Sequence, residues 1–201
     1  MFDLLGSVES LLTSFGYFAL FAIVFAESGL FFGFFLPGDS LLFTAGLLAA
    51  RGIFDIRIAI IGVSIAAILG DQVGYWMGHR FGRGFFNKPN SLFRDPKHVE
   101  EAESFYAKHG PKAIVLARFV PVVRTFAPIV AGIANMEYKT FVTYNILGGV
   151  LWSLTFLLAG YFLGTFLPES ESLIMLIVLA IIVISTIPIV LEFLKRLRNR
   201  K

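Results

Sequence analysis

Cysteine is absent from the 201 residues. That excludes a disulfide framework, thiolate catalysis and cysteine-ligated metal. Charge is scarce as well: Asp, Glu, Lys and Arg make up 15% of the chain, where water-soluble domains carry about a quarter. The histidines number three (His79, His98 and His109), all in the polar middle of the chain. No metal-ligand spacing holds them together, so neither a metal nor a cofactor is expected. No serine–histidine pair or phosphate loop is present either, and an enzyme is not expected. The basic residues fall into two loops beside apolar segments, which argues against nucleic-acid binding. The opening MFDLLGSVESLL carries Asp3 and Glu9 and no basic region, unlike a cleavable signal peptide. Residues 1–13 are expected to form a short interfacial helix, with Phe2, Leu4, Leu5, Val8, Leu11 and Leu12 on its buried side.

What fills the chain instead is apolar: 57% of residues are hydrophobic, 23 residues are Phe, and the mean hydropathy is +0.79. The expected fold is an all-α polytopic membrane domain covering residues 1–201. Four segments reach the ~20 residues a membrane-crossing helix needs: 14–34, 56–78, 140–163 and 172–194. Two further apolar segments are broken. Residues 36–50 open on Pro37, Gly38, Asp39 and Ser40, and residues 113–134 contain Arg118, Pro121, Arg124 and Pro128. Pro121 and Pro128 are expected to interrupt a simple helix. Irregular backbone at membrane depth requires a protein or polar lining, so both segments read as re-entrant hairpins.

Charge supplies the sidedness. Residues 80–112 hold seven Lys or Arg and the tail 195–201 holds five, whereas LPESES at 167–172 holds two Glu and no base. The positive-inside rule places the loop 79–112 and the tail 195–201 in the cytoplasm and the link 167–172 outside. That parity requires 113–134 to enter and leave on the cytoplasmic side; the mirror argument puts 36–50 on the outer side and the N-terminus, like the tail, in the cytoplasm. Arg51 and Arg57, near the outer surface, run against this layout. TAGLLA at 44–49 echoes VAGIAN at 130–135. Two broken segments entering from opposite sides form an inverted repeat, the architecture in which transporter sites sit near the midplane. Within the loop, DPKHVEEAESFYAKHG suggests a capped helix whose Phe105 and Tyr106 anchor it at the interface.

Four charged residues lie inside the apolar segments: Glu27, Asp39, Arg118 and Arg124. Each costs about 2.5–3.5 kcal/mol at the bilayer centre, so four cost on the order of 10–14 kcal/mol before pairing. Pairing offsets part of that cost and leaves either structural ion pairs or a polar site. Asp and Glu can exchange protons, so Glu27 and Asp39 are the candidates for proton coupling. Arg keeps its proton and suits a phosphate or carboxylate through its planar fork. Arg118 and Arg124 stand about 240° apart on an ideal helix, and with Pro121 between them they are expected to face inward from two arms as an anion clamp. Ser40 is assigned to the same headgroup site. Asp39 and Ser40 are expected to cap a helix starting near Leu41, with Pro37 and Gly38 turning the chain. Asp71, near Arg80 and Arg83 in sequence, is expected to form a structural pair. Gly70, Gly74 and Gly78 make a small packing face, and Trp152 is expected to pack within its span.

Several motifs occur in a familiar order: FAESGLFFGFFLPGDSLLFTAG, GDQVGYWMGHRFG, FYAKHG and ARFVPVVRTFAPIVAGIANMEYKTFVTYNILGGVLW, all within residues 21–152. Together they resemble the DedA membrane-protein family, whose core is also called the SNARE-associated or VTT domain. The resemblance implies a bacterial inner-membrane protein tied to envelope integrity. Some members are implicated in transport driven by the proton-motive force, and some resemble translocases of undecaprenyl phosphate. Eukaryotic relatives act as phospholipid scramblases. The family's functional acidic pair falls on Glu27 and Asp39, and its arginine pair on Arg118 and Arg124. The expected function is therefore transport of a lipid phosphate, with membrane lipids and protons as partners. A proton-coupled carrier of small cations or drugs, a scramblase, and a structural or regulatory envelope protein are the other readings.

Overall fold

The computed structural model describes residues 2–29, 38–86, 106 and 108–166. The expected span 172–194, the tail, Pro37 and most of the loop 79–112 lie outside them. Among the described residues the chain is helical, with no strand. The elements are α1 (Phe2–Gly29), α2 (Gly38–Ala49), α3 (Ile56–Phe86), α4 (Lys112–Ala117), α5 (Pro121–Ile133) and α6 (Tyr138–Phe166).

Ile56–Arg80 and Tyr138–Phe166 are long and apolar enough to cross a bilayer. Their exposure has the pattern that lipid requires. On α3, Ile58, Ile61, Ile65, Leu69 and Trp76 are exposed at helical spacing; on α6, Ile146, Leu147, Val150 and Leu151 are exposed. The buried set meanwhile includes Glu27, Asp71, Arg118 and Asn145. Apolar stripes outside and charge inside invert the arrangement of a water-soluble protein. At 1.5 Å per residue, α2 and α5 are about 18–20 Å long, too short for a hydrocarbon core of about 30 Å.

The chain forms two compact units. The first comprises Met1–Leu20, Phe35–Ile60 and Leu154–Lys201; the second, Phe21–Phe34 and Ile61–Ser153. In the first, α2 packs on the C-terminal half of α6. A Cβ on Gly46 would lie 2.1 Å from the Leu157 carbonyl oxygen, and one on Gly160 would lie 2.0 Å from that of Phe43. In the second, α5 packs on α3 in the same way. A Cβ on Gly132 would lie 2.2 Å from the Tyr75 carbonyl oxygen, and one on Gly78 would lie 2.0 Å from that of Ile129. Gly46 and Gly132 are the glycines of the two echoing segments, and each packs on the other half's long helix.

The turns repeat as well. After α2, Ile53 N–H donates to the Leu48 carbonyl and Gly52 N–H to that of Ala49; after α5, Met136 N–H donates to Ala131 and Asn135 N–H to Gly132. Both are Schellman closures, with a left-handed residue after the helix: Gly52 at φ 76° and Asn135 at φ 47°. Asp55 then caps α3, accepting the Arg57 N–H at 2.7 Å. The short sequence echo thus marks a repeated helix–turn–helix.

Several local expectations change. α1 runs without a break through residue 13, where the interfacial helix was expected to end. α2 begins at Gly38, so Asp39 and Ser40 occupy its first turn instead of capping from outside; a carboxylate there still complements the helix dipole. Pro121 does divide the second segment: Val120 is extended (φ −115°, ψ 107°) and Pro121 starts α5. Pro128 does not, and α5 continues through it. The ring removes one amide donor, and Gly74 leaves it room, since a Cβ at residue 74 would lie 3.3 Å from the Pro128 Cβ.

Candidate functional site

The second unit gathers charged and polar side chains from five segments. α1 and α3 approach backbone to backbone, because a Cβ on Gly70 would lie 2.8 Å from the Phe25 carbonyl oxygen and one on Gly29 would lie 3.0 Å from Gly70 Cα. This crossing sits beside Glu27 on α1 and Asp71 on α3, which are 1% and 4% exposed. The turn after α4 supplies Arg118, the first turns of α5 supply Arg124, and α6 supplies Asn145 and Trp152.

Arg118 Nη2 donates to Asp71 Oδ2 and to Asn145 Oδ1. Asn145, fully buried, is fixed from its other end, where Nδ2 donates to the Ile68 carbonyl at 3.2 Å. Arg118 lies along the Gly148–Gly149 pair: a Cβ on Gly148 would sit 3.1 Å from Arg118 Cδ. Its Nε is buried and has no hydrogen-bond partner among the described residues. Arg124 Nη2 donates to Glu27 Oε1, and its guanidinium carbon lies 5.1 Å from the centre of the Trp152 ring, a cation–π distance. Arg124 is within electrostatic reach of both Asp71 and Arg118.

The same unit holds a buried aromatic cluster. Tyr106 donates to the Ala127 carbonyl at 2.8 Å and Tyr75 to the Met136 carbonyl at 2.6 Å. Both pack with Ile114, Ala131 and Phe141 in one buried cluster. Tyr106 is therefore a core residue and not the interfacial anchor its sequence context suggested. Burial raises its phenol above the ordinary tyrosine range, and the Asp71 charge adds to the shift. Around the α4–α5 turn the opposite holds: Leu116, Phe119, Val120 and Val123 are exposed while Arg118 is buried.

The expected site residues thus divide. Glu27, Arg118 and Arg124 come together in the second unit with Asp71, which serves as the carboxylate partner of Arg118. Asp39 and Ser40, both half-buried, belong to the first unit. Gly70 faces α1, while Gly74 and Gly78 face α5, so the glycine ladder is a packing face as its spacing suggested. Asn145 and Trp152 join the site unanticipated. A lone amide in the apolar run FVTYNILGG was the available signal for Asn145, since polar side chains in spans need a partner. Among the described residues no His, Asp and Glu cluster has the makings of a metal site.

Residues 36–162 match the VTT domain. Protein DedA of Escherichia coli K12 is 46% identical over 184 residues, covering 90% of this chain and 84% of that protein. An uncharacterized membrane protein of Mycobacterium leprae is 44% identical over 170 residues, with coverage of 85% and 76%. The inner membrane protein YqjA of Escherichia coli K12 is 38% identical over 149 residues, with coverage of 74% and 67%. No solved structure matches the chain.

Proposed function

Because the chain belongs to the DedA family of membrane proteins through its VTT domain, we propose that it moves a lipid phosphate across the bacterial inner membrane, with undecaprenyl phosphate the favoured substrate. The observation carrying this reading is the placement of two ion-paired arginines, Arg118 buried and Arg124 half-buried, next to an exposed apolar turn. Arg118 and Arg124 offer guanidinium forks for a phosphate. Leu116, Phe119, Val120 and Val123 offer a greasy surface in the same turn, so one ligand with a charged head and an apolar tail matches both. The start of α5 adds backbone amides that have no carbonyl behind them, which favour an anion. Transport is proposed to draw on the proton-motive force through the carboxylates, with Glu27 and Asp39 the first candidates. In this reading α2 and α4–α5 are re-entrant, entering from the outer and cytoplasmic sides, and both termini are cytoplasmic. YqjA is named an inner membrane protein, which supports the location.

The test is reconstitution in liposomes with a labelled polyprenyl phosphate, following its sidedness over time with and without a pH gradient. Accelerated translocation that Arg124→Ala abolishes is the expected result. Movement of a small cationic drug in its place transfers the reading to a proton-coupled carrier. Movement of neither leaves an envelope protein whose ion pairs hold the fold.

A further inference from the structure

We propose that Asp71 is the exchangeable counter-ion of Arg118: an incoming anionic headgroup takes over Arg118 while Asp71 takes up a proton, so that binding and protonation are one event. This rests on the anion-site reading above and assigns the coupling acid within it.

Charge balance motivates it first. Asp71, Glu27, Arg118 and Arg124 sum to zero in two pairs. An anion added to that neutral set leaves uncompensated negative charge in a water-poor interior, which is strongly unfavourable. Either the anion is refused or a carboxylate is neutralised.

Geometry selects the carboxylate. Arg118 Nη2 is shared between Asp71 and Asn145, and Asn145 is itself pinned to the Ile68 carbonyl. When Asp71 becomes neutral, the amide still holds Arg118 in place with a directed, uncharged acceptor. The cation loses its charge partner without losing its position, and its buried Nε remains available to a new acceptor. Arg124 is arranged otherwise: besides Glu27 it meets the face of Trp152, which attracts a cation without fixing its donors. Among the described residues, the charged and titratable groups around Asp71 are Arg118 from the α4–α5 turn, Arg124 from α5, and the Tyr106 phenol, within electrostatic reach. Asn145, from α6, shares the Arg118 Nη2 with it. The proton-accepting step is simple in balance: the carboxylate gains one proton from water, and the bond from Arg118 to Asp71 is exchanged for one from Arg118 to the anion.

The experiment titrates the full chain in detergent with farnesyl phosphate and with its methyl diester, whose one charge is constant near neutrality. Affinity is read from the thermal shift at several pH values. Uptake of one proton on binding makes affinity for the diester fall about tenfold per pH unit on the alkaline side. Asp71→Asn mimics the neutral acid and keeps an acceptor for Arg118, so it is expected to bind the diester with a flat profile and to hold wild-type low-pH affinity at high pH. Glu27→Gln is expected to keep the slope. An unchanged slope in D71N, or a slope abolished only in E27Q, overturns the assignment. Should D71N fail to fold, an indicator dye in weakly buffered wild-type protein decides: alkalinisation on adding diester at mildly alkaline pH supports the exchange, and no change overturns it. Binding of the phosphate and diester without any slope removes this proposal alone. No binding of either by the wild type at any pH removes the anion site and this proposal together.

Discussion

Gly46 of α2 lies so close to Leu157 of α6 that a methyl group on it would overlap the Leu157 carbonyl oxygen at 2.1 Å. Backbone obstructs it, so no side-chain rearrangement relieves the contact. Alanine ordinarily favours a helix over glycine by about 1 kcal/mol. Here the forced separation of two helices should outweigh that gain, since overpacking costs about 1–3 kcal/mol. Gly46→Ala is expected to lower the melting temperature in detergent. Gly132→Ala should do the same, as the equivalent residue against Tyr75. Gly52→Ala provides the contrast: nothing lies within 4 Å of a Cβ there, and only its positive φ carries a cost. Equal, small shifts in all three variants would remove the packing role of the two glycines.

What the sequence made legible, and what it concealed, follows from the range of the interactions involved. Pro121 was readable as a break because its restriction on Val120 is local. Pro128 was misleading: α5 continues through it, with the ring packed against Gly74 of α3. The glycine ladder at 70, 74 and 78 was readable from spacing alone, but its two partners, α1 and α5, were not. The same holds for charge. Burial of Glu27 and Arg118, and partial burial of Arg124, followed from their apolar surroundings. Asp71 lies near Arg80 and Arg83 in sequence, yet its partner is Arg118, 47 residues away. Pairing across that separation is set by the packing of α3 against the segment around Pro121, which periodicity does not encode.

Asn145 is expected to be a determinant of stability as well as of the site. It accepts from Arg118 and donates to Ile68 while fully buried. Asn145→Leu keeps approximate volume and removes both bonds. Losing a hydrogen bond to a charged group costs about 1.5–3 kcal/mol. Thermal unfolding in detergent should show a clear decrease for N145L and a smaller one for Asn145→Gln, whose amide can still reach one partner. A wild-type midpoint for N145L would show that Arg118 is held by Asp71 alone.

Asp39 is expected to matter through its charge. Asp39→Asn preserves a polar first-turn residue in α2 and loses the carboxylate. The protein should fold, with a melting temperature within a few degrees of wild type, because removing a charge from a helix start costs about 0.3–1 kcal/mol. Translocation in liposomes should fall by at least about tenfold, the consequence of raising a barrier by about 1.4 kcal/mol. Normal transport by D39N would remove any proton or charge role from this residue and leave coupling to the carboxylates of the second unit.

Arg124 separates recognition from simple charge balance. Its guanidinium bonds Glu27 and meets the Trp152 face, contacts that use planarity and directed donors. Arg124→Lys retains the positive charge and loses the fork. If phosphate is recognised there, R124K should weaken stabilisation by added polyprenyl phosphate, and Arg124→Ala should weaken it further. The alanine variant also leaves Glu27 without this charge partner, which can distort the site, so lysine is the cleaner probe. Trp152→Leu tests the other contact. A cation–π interaction contributes about 0.5–2 kcal/mol, so W152L should reduce phosphate affinity by roughly two- to thirtyfold if the ring holds the guanidinium in its binding position. Ligand stabilisation arises because the folded state binds and the unfolded state does not. Polyprenol, with the same tail and no phosphate, is therefore the control for tail binding. Equal shifts with phosphate and alcohol would show that the tail alone is recognised. Full phosphate-dependent stabilisation in R124K and R124A alike would take Arg124 out of the anion site and leave it as the structural counter-ion of Glu27.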